Sequence, residues 1–474
     1  MAAERAGVPA VLNTCEEFVS QAHAIAALGG VGYIPVVNYP GHIDTYSLEV
    51  RNTYISELIE PGNEEGLTTQ VEGGAAAAVE PLETTPIIIK STWDDVITYY
   101  RERQWTDGLP IVPPTTEKVE EFLKYTDYPA DEILTRELPP SYRQPTPWTV
   151  AVNGVMAGCR PEYMPVLIAL TKLWGHVDFD VQDSSSTPGW EPMNVLNGPI
   201  TKQLGFNYKT GVMNAGFQGN SSVGRFWEFF QRNILEIRTQ FTEKGTFGQN
   251  YYMLIAENDD YCKSVGWDTL SVQRGFKPED NVVTATSCIH FMHDTTYTIP
   301  ETTEPWSKNH MDYIGYMLGK VNHAYRTPAD MTPLVLMSPV VAQVMVDDGL
   351  SKDDVRKGIW AGTGIRASDW ERALGVFKIK PMYKLSDFVE AGDLPALYTE
   401  SDDPNRLVPK IKDWEQIKLV VTGDPGRNRV IVTRQNAEQG YMTSMKIELP
   451  ENWDALMEES QLRKDLVASG IEFM

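Results

Sequence analysis

Four groups of residues in this sequence carry types and spacings that could do chemistry. In "VMAGCRPEYMPV", Cys159 follows small residues and precedes a helix whose first turn holds Pro161 and Glu162. A helix N-terminus with Arg160 beside it lowers a thiol's pKa and makes it a nucleophile. The competing reading is a buried structural cysteine, with Arg160 and Glu162 satisfying each other. In "YYMLIAEN", Glu257 ends an apolar strand, where burial would raise its pKa toward neutrality and suit it to acid–base work. The alternative is a strand-end carboxylate paired to an arginine.

The other two groups would bind rather than attack. The stretch from 181 to 225 is rich in Asn, Gly, Ser and Pro and reads as a long loop. Within and beside it, Asn197, Gly198, Asn220 and Arg225 could hold an anionic group, through backbone N–H groups freed by glycine and through the guanidinium. Asparagines that replace missing backbone partners in a buried loop explain the same residues. In "TATSCIHFMHD", Cys288, His290, His293 and Asp294 are all transition-metal ligand types, which would imply a divalent metal as cofactor. On a strand, however, Cys288 and His290 share a face while His293 does not.

The elements that must position these residues follow from hydrophobic period. "GVPAVLNT" and "YIPVVNYP" read as strands, and "CEEFVSQAHAIAALGG" and "SLEVRNTYISELIEPG" as helices, the second stopped by Pro61–Gly62. This is a β-α-β-α unit over residues 1–62, which implies parallel strands. Residues 63–90 read as a Gly/Ala/Thr/Glu linker, and 91–474 as a larger α/β domain. There "NYYMLIAEN" and "NVVTATSCIHFMH" read as buried strands, "SPVVAQVMVDDG" and "SKDDVRKGIW" as helices, and "QIKLVVTGDPGRNRVIVTRQ" as a hairpin. Two parallel strands and two helices cannot cover both faces of a sheet. The first unit is therefore incomplete and expects a strand from a partner chain. The helix-to-strand start at Met1–Arg5 fits a module whose beginning lies on another polypeptide.

Composition narrows the partners. The 474 residues carry a net charge of −24, which repels nucleic acid and anionic membranes. Four cysteines without a CxxC pair point to a reducing, cytoplasmic setting. GxSxG, HExxH and GxGxxG patterns do not occur, so hydrolase, zincin and dinucleotide readings have no motif behind them.

Several long phrases, in order, resemble the large region of the UGSC-family (seleno)proteins: "DGLPIVPPTTEKVEEFL", "VAVNGVMAGCRPEYMPVLIAL", "VLNGPITKQLGFN", "GNSSVGRFWEFFQRNI", "GTFGQNYYMLIAEN", "GWDTLSVQRGFKPEDNVVT" and "VVTGDPGRNR". The similarity runs from about residue 91 to 430, and residues 4–62 resemble the later part of the UGSC domain itself. The (Sec/Cys)-Gly-Ser-Cys motif that names the family is absent from this chain. The resemblance thus implies a split enzyme. A partner subunit would carry the thiol or selenol, and this chain the rest of the pocket for redox or lyase chemistry that cleaves a carbon–heteroatom bond of a small substrate. Val340 and Val341 stand where the family carries a Glu-His pair near "MSPVVAQVM". That departure leaves two further expectations in play. One is a metal-dependent lyase or hydratase built on the Cys288 to Asp294 group. The other is a non-catalytic scaffold subunit.

Overall fold

The computed structural model describes residues 2–41, 45–69, 88–251, 253–296, 304–321, 331–377, 384–436 and 439–470. The architecture is α/β, and the chain divides into two compact units. One comprises Met1–Ile111, Arg136–Pro145 and Glu228–Lys244; the other comprises Val112–Thr135, Thr146–Trp227 and Gly245–Met474. Most of the expected linker, residues 70–87, lies outside the described residues.

In the first unit, β1 (Leu12–Cys15) pairs in parallel with β2 (Val36–Tyr39), joined by the helix Glu16–Leu28. This is the β-α-β order that the apolar period implied. The following helix does not stop at Pro61–Gly62. It runs Leu48–Tyr54, passes through a π-turn at Ile55–Ile59 and continues as Glu60–Thr68. Pro61 follows closely on that π-turn, where the regular i→i−4 ladder is already interrupted. The glycines there allow close approach rather than termination. A Cβ on Gly62 would lie 2.8 Å from Val37 Cγ2, and one on Gly66 2.7 Å from Val11 Cγ2. Elsewhere in this unit, Lys244 donates to the Glu17 carbonyl at 2.9 Å, and Ser141 to that of Ile234 at 2.6 Å.

The second unit holds two four-stranded mixed sheets. The strands, in chain order, are β3 (Glu191–Asn197), β4 (Leu254–Ala256), β5 (Val282–Cys288), β6 (His290–Thr295) and β7 (Leu334–Met337). After them come the short pair β8 (Ile365–Arg366) and β9 (Leu407–Val408), then β10 (Lys418–Val421), β11 (Arg429–Arg434) and β12 (Thr443–Lys446). The sheet orders are β12-β5-β3-β4 and β10-β7-β11-β6. Every residue of β3, β4, β5 and β7 is buried. The β7 side chains alternate: Val335 and Met337 enter one apolar cluster with Ile314, Met317 and Ile359, while Leu334 and Leu336 enter another with Val195 and Ile255. A sheet covered on both faces needs such an unbroken apolar run.

Three expectations change here. The polar stretch 181–225 contains the fully buried strand β3. Its Asn194 is satisfied internally, accepting from Trp174 Nε1 at 3.2 Å and donating to the Met253 carbonyl at 2.8 Å. "NVVTATSCIHFMH" is two strands in different sheets, broken at Ile289. "QIKLVVTGDPGRNRVIVTRQ" is strand–turn–strand but not a hairpin, because β7 lies between β10 and β11, parallel to one and antiparallel to the other. The connection must therefore cross the end of β7. Among the described residues, no helix is long and apolar enough to cross a membrane.

Candidate acid–base site

The site forms where the parallel strands β3 and β4 end. Leu196 pairs with Ala256, so the next residues, Asn197 and Glu257, emerge side by side at the carboxyl ends, where open α/β sheets bind ligands. Gly198 then turns the chain at φ +101°, and a Cβ there would lie 2.5 Å from the Asp280 carbonyl oxygen. Only glycine fits this turn, and it brings the Gly198 N–H to Asp259 Oδ2 at 2.6 Å.

Glu257 is buried and its two oxygens are surrounded by donors. Oε2 accepts from Asn197 Nδ2 at 2.8 Å and from the Leu270 N–H at 2.7 Å. Oε1 accepts from Lys352 Nζ and the Val421 N–H, both at 3.3 Å, and from the Cys262 thiol at 3.6 Å. Lys352 is 4% exposed and also donates to the Asp268 carbonyl at 2.6 Å. A buried ion pair of this kind is held by its extra hydrogen bonds as much as by attraction between the charges. Glu257 is thus paired, as the plainer reading of the sequence held, although to a lysine and not an arginine. With its lone pairs occupied it is a positioning residue.

The group suited to proton transfer is Asp259. Its Oδ1 accepts from Asn197 Nδ2 at 2.8 Å, so one amide bridges both carboxylates. Burial first, and then the neighbouring Glu257 charge, push the Asp259 carboxyl up to about 6, against the opposing pull of the Gly198 N–H and the Asn197 amide. Asp259 lines a cavity of about 570 Å³ with Thr201, Lys202, Tyr208, Lys263 and Trp267. Two buried oxygens are without a partner: Thr201 Oγ1 in the cavity lining, and Oδ1 of the same Asn197 amide. Lys202 forms an ion pair with Asp260 at the same cavity.

Of the residues singled out from sequence, Asn197, Gly198 and Glu257 come together. Cys159, Arg160, Asn220 and Arg225 do not line this cavity. Cys159 is not activated: burial pushes its thiol up to about 12, outweighing a Ser222 hydrogen bond and the Arg225 charge. Arg160 donates to the Leu204 carbonyl at 3.0 Å, approaches Glu162 at 3.8 Å and stacks over Tyr163. Asn220 ties the Asn207 backbone and the Leu254 carbonyl together at 2.7–3.0 Å, the structural role the loop reading described.

The proposed metal ligands do not converge either. Cys288 is fully buried, with its thiol pushed up to about 12 and donating to the His290 carbonyl at 3.6 Å. His290 and His293 are exposed, on opposite faces of β6, and Asp294 accepts from Tyr313. Among the described residues, no three His, Cys, Asp or Glu side chains gather as a metal site. Cys288, His290, His293 and Asp294 thus do not form a metal centre as they are placed here.

Sequence reasoning missed Asp259 and Lys352. Asp259 stood in view in "AENDD" at the strand end. Lys352 left a subtler signal, a cation at the first position of the helix Lys352–Gly362, where the helix dipole disfavours it unless a carboxylate compensates. No protein-family model matches this chain, and no curated protein matches it.

Proposed function

We propose that this chain is one subunit of a heteromeric enzyme and that Asp259 is its general acid–base residue. The observation that carries the reading is the Asp259 carboxyl, raised to about 6 at the wall of a cavity large enough for a small substrate. The chain's own thiols are poor nucleophiles, because burial is the leading cause that raises all four, Cys15, Cys159, Cys262 and Cys288. The resemblance to UGSC-family proteins supplies the missing piece, a thiolate or selenolate on a partner subunit.

In the reaction we envisage, that nucleophile attacks a carbon of a small substrate. The electron pair of the carbon–heteroatom bond leaves with the heteroatom, and protonated Asp259 donates its proton there. The Asn197 amide and the Gly198 N–H hold Asp259 in place, while Lys352 neutralises Glu257 behind it. Four unpaired cysteines favour a cytoplasmic site of action.

The test is alkylation of the native complex, purified by affinity from its source, with iodoacetamide near pH 6. The label is expected on a partner polypeptide, with the four cysteines of this chain unlabelled. Labelling of Cys15, Cys159, Cys262 or Cys288, or purification of the chain without a partner, overturns the proposal.

A further inference from the structure

A second cavity, of about 510 Å³, lies on the β7-β11-β6 face and is separate in its lining from the acid–base site. Its floor follows from register. Ile431 of β11 pairs with Leu336 of β7 on one side and His293 of β6 on the other, so all three face the same way, as do Phe291 and Arg429 at alternate positions. The crossing loop after β10 forms one rim. There Asp424 Oδ1 accepts from the Gly426 N–H at 2.8 Å, shaping a turn that presents Arg427 to the cavity.

The lining has two chemistries. Met213, Met253, Tyr251, Phe291, Leu336 and Ile431 make an apolar wall, in which the Tyr251 and Phe291 rings lie 5.3 Å apart at 59°. Arg427 and Arg429 make a cationic end, and among the described residues neither forms an ion pair with a carboxylate. Ser338, the N-cap of the helix Pro339–Asp347, also lines this cavity and accepts from the Arg429 N–H at 3.3 Å, so the positive end of that helix adds to the same field. Arg427 donates to the Gly426 carbonyl at 3.4 Å, and, behind the Tyr313 hydrogen bond, the Arg429 charge helps hold the Asp294 carboxyl below its ordinary value. In a protein of net charge −24, two guanidinium groups without an ion-pair partner beside an aromatic wall are a selective feature.

We infer that this cavity binds a small organic anion, an aromatic carboxylate whose flat ring lies on the Tyr251–Phe291 wall and whose carboxylate is held by Arg427 and Arg429. A bare inorganic anion would leave the apolar wall wet, and a neutral aromatic would leave the guanidinium groups without an ion-pair partner. The inference stands apart from the reading of the Asp259 site.

The test is titration of the full chain with 2-naphthoate, followed by fluorescence and calorimetry. The comparison ligands are 2-naphthalenemethanol and acetate. The comparison proteins are the double variant Arg427→Gln/Arg429→Gln and the variant Asp259→Asn. Both arginines are exposed, so the double variant should fold, and circular dichroism checks this. We expect naphthoate binding to weaken at least about ten-fold in the double variant, to be unchanged in Asp259→Asn, and to exceed that of either comparison ligand by about ten-fold. Absence of naphthoate binding at millimolar concentration overturns the inference. Equal binding by the folded double variant, or loss of binding in Asp259→Asn, does so as well.

Discussion

Two pairs of parallel strands in this chain make the same ladder and are covered very differently. Every residue of β3 and β4 is buried. In β1 and β2 only Cys15 is buried. The helical run Leu48–Thr68 buries no residue at all, and Leu48 is 74% exposed. Parallel sheets are found covered on both faces because the pairing alone does not stabilise them in water. The contrast teaches that hydrogen-bond register and stability are separate matters. The buried β3–β4 pair holds Asn197 and Glu257 at its end, whereas the β1–β2 pair has the local pattern of a sheet without its cover. That difference is our reason for proposing that the N-terminal unit is completed by a partner's strand.

The contrast can be sharpened by substitution. The largest effect is expected from Lys352→Met, which leaves Glu257 as an uncompensated buried charge beneath β3 and β4. Chemical denaturation should show a loss of about 3–5 kcal/mol. Adding Glu257→Gln should recover part of it, because the stranded charge is gone. Next, Ile255→Ala in β4 should cost about 2–4 kcal/mol, since its side chain is fully buried between packed layers.

The pH dependence of stability gives a somewhat smaller effect. Asp259 titrates in the folded chain at about 6 against an ordinary 3.8, so the folded state holds this proton more tightly than the unfolded one. Its contribution is fully present below the ordinary value and is lost as pH rises through about 6. Stability should fall by on the order of 2 kcal/mol across that window in the natural chain, and Asp259→Asn should lack this step. At the small end, Leu48→Ala should change the stability of the isolated chain by no more than about 0.5 kcal/mol, because nothing covers that side chain. A loss comparable to that of Ile255→Ala would mean that the N-terminal unit is already packed, and the contrast would fail.

Much of the fold was legible where pattern and local chemistry agreed. The β1-helix-β2 order, the helices Pro339–Asp347 and Lys352–Gly362, and the strand that leads into Glu257 follow from apolar period and turn residues. What was hidden depends on distant partners. β3 reads as polar loop because the side-chain amide N–H groups of Asn194 and Asn197 find acceptors up to 62 residues away. The insertion of β7 between β10 and β11 cannot be seen from a strand–turn–strand motif, since local sequence does not encode which strand lies between. Of the site, Glu257 was legible at a strand end, and Asn197 and Gly198 only as members of a polar loop. The assignment of acid–base work to Asp259 rather than Glu257 was not, because it turns on which carboxylate Lys352, 95 residues from Glu257, neutralises.

The most direct test of the central claim is amide hydrogen exchange read by mass spectrometry on the isolated chain and on the complex purified from its source. We predict fast exchange across Leu12–Cys15 and Val36–Tyr39 in the isolated chain, slow exchange across β3, β4 and β5 in both samples, and protection of the first two segments only in the complex. Protection of β1 and β2 in the isolated chain equal to that of β3 would contradict the account.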